Sequence, residues 1–229
     1  MKYKNVVEGE FISRPNRFIA QILIDGKEET VHVKNTGRCR ELLIKGNRVY
    51  LSVSDNPDRK TKYDLIAVEK KTNPPLLVNM DSQIPNDAAG EWLKKGKLFS
   101  ENALIRREVT YGKSRFDFYI EDDSRKAFLE VKGVTLENDG VVSFPDAPTE
   151  RGVKHLNELI NCVEDGYEAY ILFVVQMKGI RYFTPNAEND RAFAEALKRA
   201  HESGVKIIAV DSVVTPDSMT IDKEIEYRI

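Results

Sequence analysis

Cysteine, histidine and tryptophan are scarce in this 229-residue chain, at two, three and one. Cys39 and Cys162 are too few and too isolated for a disulfide framework or a thiolate zinc site. Long apolar runs are also missing. Stretches such as residues 170–175 fall far short of the roughly 20 residues a membrane helix needs. Residues 1–11 carry Lys2, Lys4, Glu8 and Glu10 and no apolar run, which argues against a secretory leader. Charge of one sign is absent as well: 35 Lys and Arg against 37 Asp and Glu leave a net of −2, no mark of a nucleic-acid binder. With 41% hydrophobic and 31% charged residues, the chain has enough apolar material for a packed core and is not mainly disordered. The expectation is a cytoplasmic, non-membrane protein of one large or two modest domains.

The small total conceals an asymmetry. Residues 1–80 hold 15 Lys and Arg against 10 Asp and Glu, a net of +5, and residues 81–229 hold 20 against 27, a net of −7. A basic half joined to an acidic half reads as a polyanion-binding module attached to a second unit. Ordinary surface variation produces the same imbalance.

The first 80 residues read as short strands. Residues 18–24 form one, closed by Asp25-Gly26, a strong hairpin signal, with 29–33 returning. Asn35-Thr36-Gly37 makes a turn and residues 40–43 a short helix. Residues 48–53, 64–69 and 76–78 complete five strands. That set predicts a small OB-like β-barrel over residues 1–80, though other small barrels share the pattern. Residues 81–229 change character. Helices are expected at 86–95, from an N-cap at Thr149 to Gly166, and at 190–203. Strands are expected at 104–109, 115–120, 127–131, 170–175 and 205–210. Alternating strands and helices predict an α/β domain with a mixed sheet, making the whole chain α+β.

The chemistry concentrates in two neighbouring strands. Asp117 lies in one, and Glu130-Val131-Lys132 ends the next. Alternation sends Glu130 and Lys132 to one face and Val131 to the other. If the strands pair, Asp117 lies beside Glu130. Two adjacent carboxylates repel, and a hard divalent cation such as Mg²⁺ or Mn²⁺ removes that repulsion. Such an ion acidifies water and stabilises a phosphoryl transition state, with Lys132 placed to orient the water. Glu91, on the 86–95 helix, is the candidate third ligand, with Glu101 and Glu108 as alternatives. Pro145-Asp146 follows Glu-x-Lys and is set aside as a ligand. The bland alternative is a surface ion pair between Glu130 and Lys132.

The helix after the motif opens on Thr149-Glu150-Arg151-Gly152-Val153-Lys154-His155. Arg151 and His155 share a face, and a helix N-terminus favours phosphate. His155 reads more as a surface histidine than as a general acid. Candidate DNA contacts are Arg14, Arg17, Lys34, Arg38, Arg59 and Lys60 in the first half, and Arg115, Arg151, Lys154 and His155 in the second. Phe18 and Tyr63 can stack on bases, but core packing is the expectation for Phe18.

The segment around Asp117 and Glu130-Val131-Lys132 resembles the PD-(D/E)XK nuclease superfamily. The whole chain resembles the sugar fermentation stimulation protein A (SfsA) family. The residues that carry this are Arg14-Pro15-Asn16-Arg17-Phe18, His32-Val33-Lys34-Asn35-Thr36-Gly37, Arg59-Lys60-Thr61, Val109-Thr110-Tyr111-Gly112, Ser114-Arg115-Phe116-Asp117-Phe118, Glu130-Val131-Lys132 and Phe144-Pro145-Asp146-Ala147-Pro148-Thr149-Glu150-Arg151-Gly152. The resemblance implies an N-terminal OB-like domain, a restriction-endonuclease-like C-terminal domain and DNA binding without sequence specificity. It also implies an alternative to catalysis: a DNA-binding regulator of sugar (maltose) metabolism that retains a nuclease-like fold.

Overall fold

Alternating side chains build the first sheet. The computed structural model describes residues 1–229, and its first six strands are β1 (Val6–Asn16), β2 (Ile19–Ile24), β3 (Lys27–Val33), β4 (Arg48–Val53), β5 (Tyr63–Lys70) and β6 (Leu76–Asn79). Antiparallel pairing joins β1 to β2, β2 to β3, β4 to β5 and β4 to β1, and a short parallel contact joins β3 to β5. Five strands therefore close into an OB barrel with no free edge. β6 pairs with β5 outside that ring. Asp25 and Gly26 both take positive φ, 49° and 78°, as a tight hairpin with the native twist requires.

Membership of the ring differs from the sequence reading. β1 was not anticipated, and β6 is not one of the five. Phe11 is the only fully buried side chain along the 11 residues of β1, so apolar alternation gives no signal there. Ladder bonds from β2 and β4 on its two sides hold it instead. Residues 40–43 form a turn, not a helix. Cys39, at φ 44°, reverses the chain, and its carbonyl accepts from Leu42 N and Leu43 N. Phe18 is 48% exposed, against the expectation of core packing.

The remainder contains α1 (Ile84–Leu93), β7 (Leu104–Tyr111), β8 (Ser114–Asp122), β9 (Arg125–Val134), β10 (Leu136–Asn138), β11 (Val141–Phe144), α2 (Glu150–Glu164), β12 (Glu168–Val175), β13 (Tyr182–Pro185), α3 (Arg191–Glu202), β14 (Lys206–Thr215), β15 (Ser218–Glu224) and β16 (Glu226–Tyr227). The main sheet runs β15-β14-β12-β9-β8-β7. β9, β12 and β14 are parallel, and the outer pairs are antiparallel, so the sheet is mixed. A small sheet, β10-β11-β13-β16, lies beside it. β12 shows why residues 170–175 are continuously apolar. Ile171 and Phe173 pack with Leu156, Leu159 and Phe193 of α2 and α3. Tyr170 and Leu172 pack on the other face with Ala89 and Trp92 of α1. Both crossover helices are capped as their sequences predict: Thr149 Oγ1 accepts from Gly152 N at 3.0 Å, and Asp190 Oδ1 from Phe193 N at 3.0 Å.

The barrel and the α/β part are tied by buried polar groups. Gln176 Nε2 donates to the Asn79 and Asp81 carbonyls, both at 3.0 Å. Asn79 N donates back to Gln176 O at 2.9 Å. The residues before β1 join the α/β part: Lys2 bridges Ser218, and Tyr3 N donates to Asp217 O. No helix is long and apolar enough to cross a membrane.

Candidate active site

The paired strands β8 and β9 open at the acids. Regular pairing runs from Asp122↔Arg125 to Phe118↔Leu129. The next residue, Asp117, turns its carboxylate into the gap, where Oδ2 accepts from Val131 N at 2.8 Å. Its Oδ1 accepts from Asn86 Nδ2 of α1 at 2.6 Å. Val131 points to the α1 side of the sheet, so Glu130 and Lys132 share the opposite face. Lys132 Nζ lies 2.6 Å from Glu130 Oε1.

His155 completes the cluster from α2. Its Nδ1 bonds to Glu130 Oε1, and the residue is 4% exposed. Arg151 Nε donates to His155 Nε2 at 3.4 Å. The neutral Nδ1–H tautomer serves both contacts, because a carboxylate oxygen can only accept. Glu130 Oε2 is buried and has no hydrogen-bond partner.

Electrostatics separates the two acids. Burial, followed by the charge of Glu130, pushes Asp117 up to about 6. Burial also acts to raise Glu130, but the His155 bond and the Lys132 charge outweigh it and hold that carboxyl below its ordinary value. Lys132 is 14% exposed and Glu130 4% as side chains, which rules out the solvated surface pair considered from sequence.

The structure puts Glu130, Lys132 and His155 in direct contact, sets Asp117 close enough to feel the Glu130 charge, and leaves Glu91 out. Glu91 projects from α1 toward solvent and binds the Met1 ammonium at 2.7 Å. The α1 side chain that reaches Asp117 is Asn86, one and a half turns earlier. Glu108 pairs with Arg115, and Glu101 is exposed. No group of three His, Cys, Asp or Glu side chains is arranged to hold a metal. Two carboxylates remain as protein donors, and one of their oxygens, Glu130 Oε2, is unpartnered. This suits a hard cation that keeps most of its water, as Mg²⁺ does.

Several expected DNA contacts are engaged within the protein. Arg14 donates to four carbonyls, those of Arg17, Asn35, Gly37 and Arg38, at 2.7–2.9 Å. It organises loops and does not face solvent as a free cation. Lys34 is bound to buried Asp81 at 2.6 Å, and Arg59 grips Asp64 with both terminal nitrogens. Arg115 pairs with Glu108, and Lys154 Nζ donates to Lys113 O. Arg17, Arg38, Lys60 and Arg151 have exposed side chains. His155, expected at the surface, is buried against Glu130. Its place was readable, since it falls with Gly152, Leu156, Leu159 and Cys162 on the buried stripe of α2. No comparable signal marks Asn86. Asp146 is engaged with the barrel loop, where its Oδ2 accepts from Arg38 N at 2.7 Å.

Comparison with known proteins settles the relationship. The model described as "Sugar fermentation stimulation protein RE domain" matches residues 83–218, and "SfsA N-terminal OB domain" matches residues 12–78. The chain belongs to the SfsA family. SfsA relatives include the sugar fermentation stimulation protein homologs of Desulfitobacterium hafniense, 60% identical over 219 residues, and Clostridium beijerinckii, 56% over 221. The first alignment spans 96% of this chain and 94% of the relative, and the second 96% of each. Among solved structures, Pyrococcus furiosus SfsA in complex with Ca²⁺ aligns with a TM-score of 0.87 at 29% identity, over 100% of this chain and 98% of that one.

Proposed function

We propose that this SfsA-family chain binds DNA without sequence specificity and hydrolyses its phosphodiester bonds with a divalent cation, Mg²⁺ or Mn²⁺. The observation that carries the reading is the convergence of Asp117 and Glu130 from adjacent strands, beside Lys132, with Glu130 Oε2 buried and unpartnered. Asp117 and Glu130 are the ligands this chain would offer. The ion supplies an acidified water and charge neutralisation at the phosphate. Lys132 is placed to orient that water and to offset developing negative charge. His155 holds the Glu130 carboxylate in a fixed rotamer, and Asn86 does the same for Asp117. The relative from Pyrococcus furiosus described with bound Ca²⁺ supports a divalent-cation site.

The test is cleavage of plasmid and linear DNA in Mg²⁺ or Mn²⁺. Asp117→Ala and Lys132→Ala are each expected to lower cleavage at least ~100-fold while leaving the circular dichroism spectrum unchanged. Absence of cleavage across both metals and all DNA forms would overturn the catalytic reading. One observation favours a non-catalytic DNA-binding regulator instead: Glu130 Oε1 is already bound by both Lys132 and His155. That reading expects DNA binding with no difference between wild type and Asp117→Ala in any cleavage assay.

A further inference from the structure

Half of the ten side chains expected to grip a duplex are already engaged. Arg14, Lys34, Arg59, Arg115 and Lys154 all have partners within the chain. Duplex binding through the phosphates depends on unengaged Lys and Arg. The barrel exposes an aromatic ring instead. Phe18 sits at the β1–β2 turn, 48% exposed, with the Arg17 guanidinium 5.3 Å from the ring centroid. Its backbone is fixed, since Phe18 N donates to Asn16 Oδ1 at 2.9 Å. A large apolar ring held in the open at a barrel loop is a costly arrangement for a purely structural residue and an effective one for stacking on a base.

The same Arg14 that binds Arg17 O also binds the carbonyls of Asn35, Gly37 and Arg38. It thereby joins the Phe18 turn to a loop that walls a cavity of about 380 Å³. The lining also includes Gly133, the residue after Lys132, and Thr135. The lining contains hydroxyl and amide groups such as Thr36, Ser82 and Gln176, one carboxylate, Asp146, and no Lys or Arg. Such a lining disfavours a phosphate. It suits a neutral group rich in ring N–H and amino donors, which describes an unpaired nucleobase.

Building on the nucleic-acid reading above, we propose that the substrate class is single-stranded nucleic acid, with one base stacked on Phe18 and another seated in the cavity that Gly133 helps to line. In a duplex the bases are stacked on each other and unavailable to either feature.

The experiment is fluorescence anisotropy in EDTA, with a labelled single strand of about 15 nucleotides and the corresponding duplex. The single strand is expected to bind about tenfold or more tightly than the duplex. Phe18→Ala should weaken single-strand binding by about tenfold and leave duplex binding unchanged. Thr36→Trp, at an exposed position on the cavity wall, should weaken it by about fivefold or more. Equal or tighter duplex binding, or an unaltered Phe18→Ala, would overturn the single-strand inference. Metal-dependent duplex cleavage in the same preparation would then leave the proposed function standing. Failure to bind either nucleic acid, in EDTA and again in Ca²⁺, would remove both.

Discussion

Asp117 is where stability and the proposed metal-binding role pull in opposite directions. Its carboxyl titrates near 6 in the folded chain, pushed up first by burial and then by Glu130, and at its ordinary value of 3.8 when unfolded. Between those values the folded state binds more protons than the unfolded state, so this group's contribution to stability declines as pH rises through that window. Asp117→Asn removes the penalty. The expected outcome in thermal melts at pH 7.5 is a rise in Tm equivalent to about 1–3 kcal/mol, shrinking toward zero below pH 4. By the same proton balance, Mn²⁺ binding measured by calorimetry should weaken as pH falls through about 6, because a protonated Asp117 cannot ligate. A flat pH profile for both quantities would show that burial of this carboxyl is less costly than its surroundings imply. Arg14 teaches a related lesson. Its charge alone suggested a phosphate contact, but four carbonyls converge on it in the fold, and sequence does not reveal such backbone crowding.

At the scale of the helix, α2 shows how much local pattern can convey. The Thr149 cap, the apolar stripe and the stop at Gly166 were all legible, because each depends on residues within a few positions. Gly152 was legible only as an oddity. Its cause is tertiary: a Cβ there would lie 2.7 Å from Thr149 Cγ2 and 3.0 Å from Phe193 Cδ2. Gly→Ala inside a helix ordinarily stabilises by up to about 1 kcal/mol. Here overpacking against α3 is expected to reverse the sign, with Gly152→Ala destabilising by about 1–2 kcal/mol in urea unfolding. A stabilised variant would mean that Phe193 can move aside. β1 is the converse case. It lacks alternation, so its place in the barrel follows from its two neighbours and not from its own composition.

Across the whole molecule, buried amide groups help to hold the seam between barrel and α/β domain. Gln176 is 1% exposed, and its amide donates to acceptors on Asn79 and Asp81. Gln176→Leu takes the donor from the buried Asn79 and Asp81 carbonyls, while Asn79 Oδ1 keeps Asp81 N, at about 1–3 kcal/mol. For a chain of this size that corresponds to a fall in Tm of roughly 3–10 °C. The calorimetric peak should also broaden or split as the two parts begin to melt separately. A single peak at the original temperature would show that the remaining contacts, Lys70 with Glu137 and Arg38 N with Asp146 among them, couple the two parts without Gln176. Composition pointed to a division near residue 80. It could not show the polar contacts that fasten the two parts, because those pairs lie nearly a hundred residues apart in the chain.

The first residues carry a practical consequence. Lys2 and Tyr3 are stitched to the strand end at 217–218, ahead of the barrel that follows them in the chain. The barrel is thus a guest module looped out between two stretches of its host. A dissection at residue 80 would tear a thread from the host, whereas excising residues 6–79 and splicing the flanks with a short linker would keep it whole.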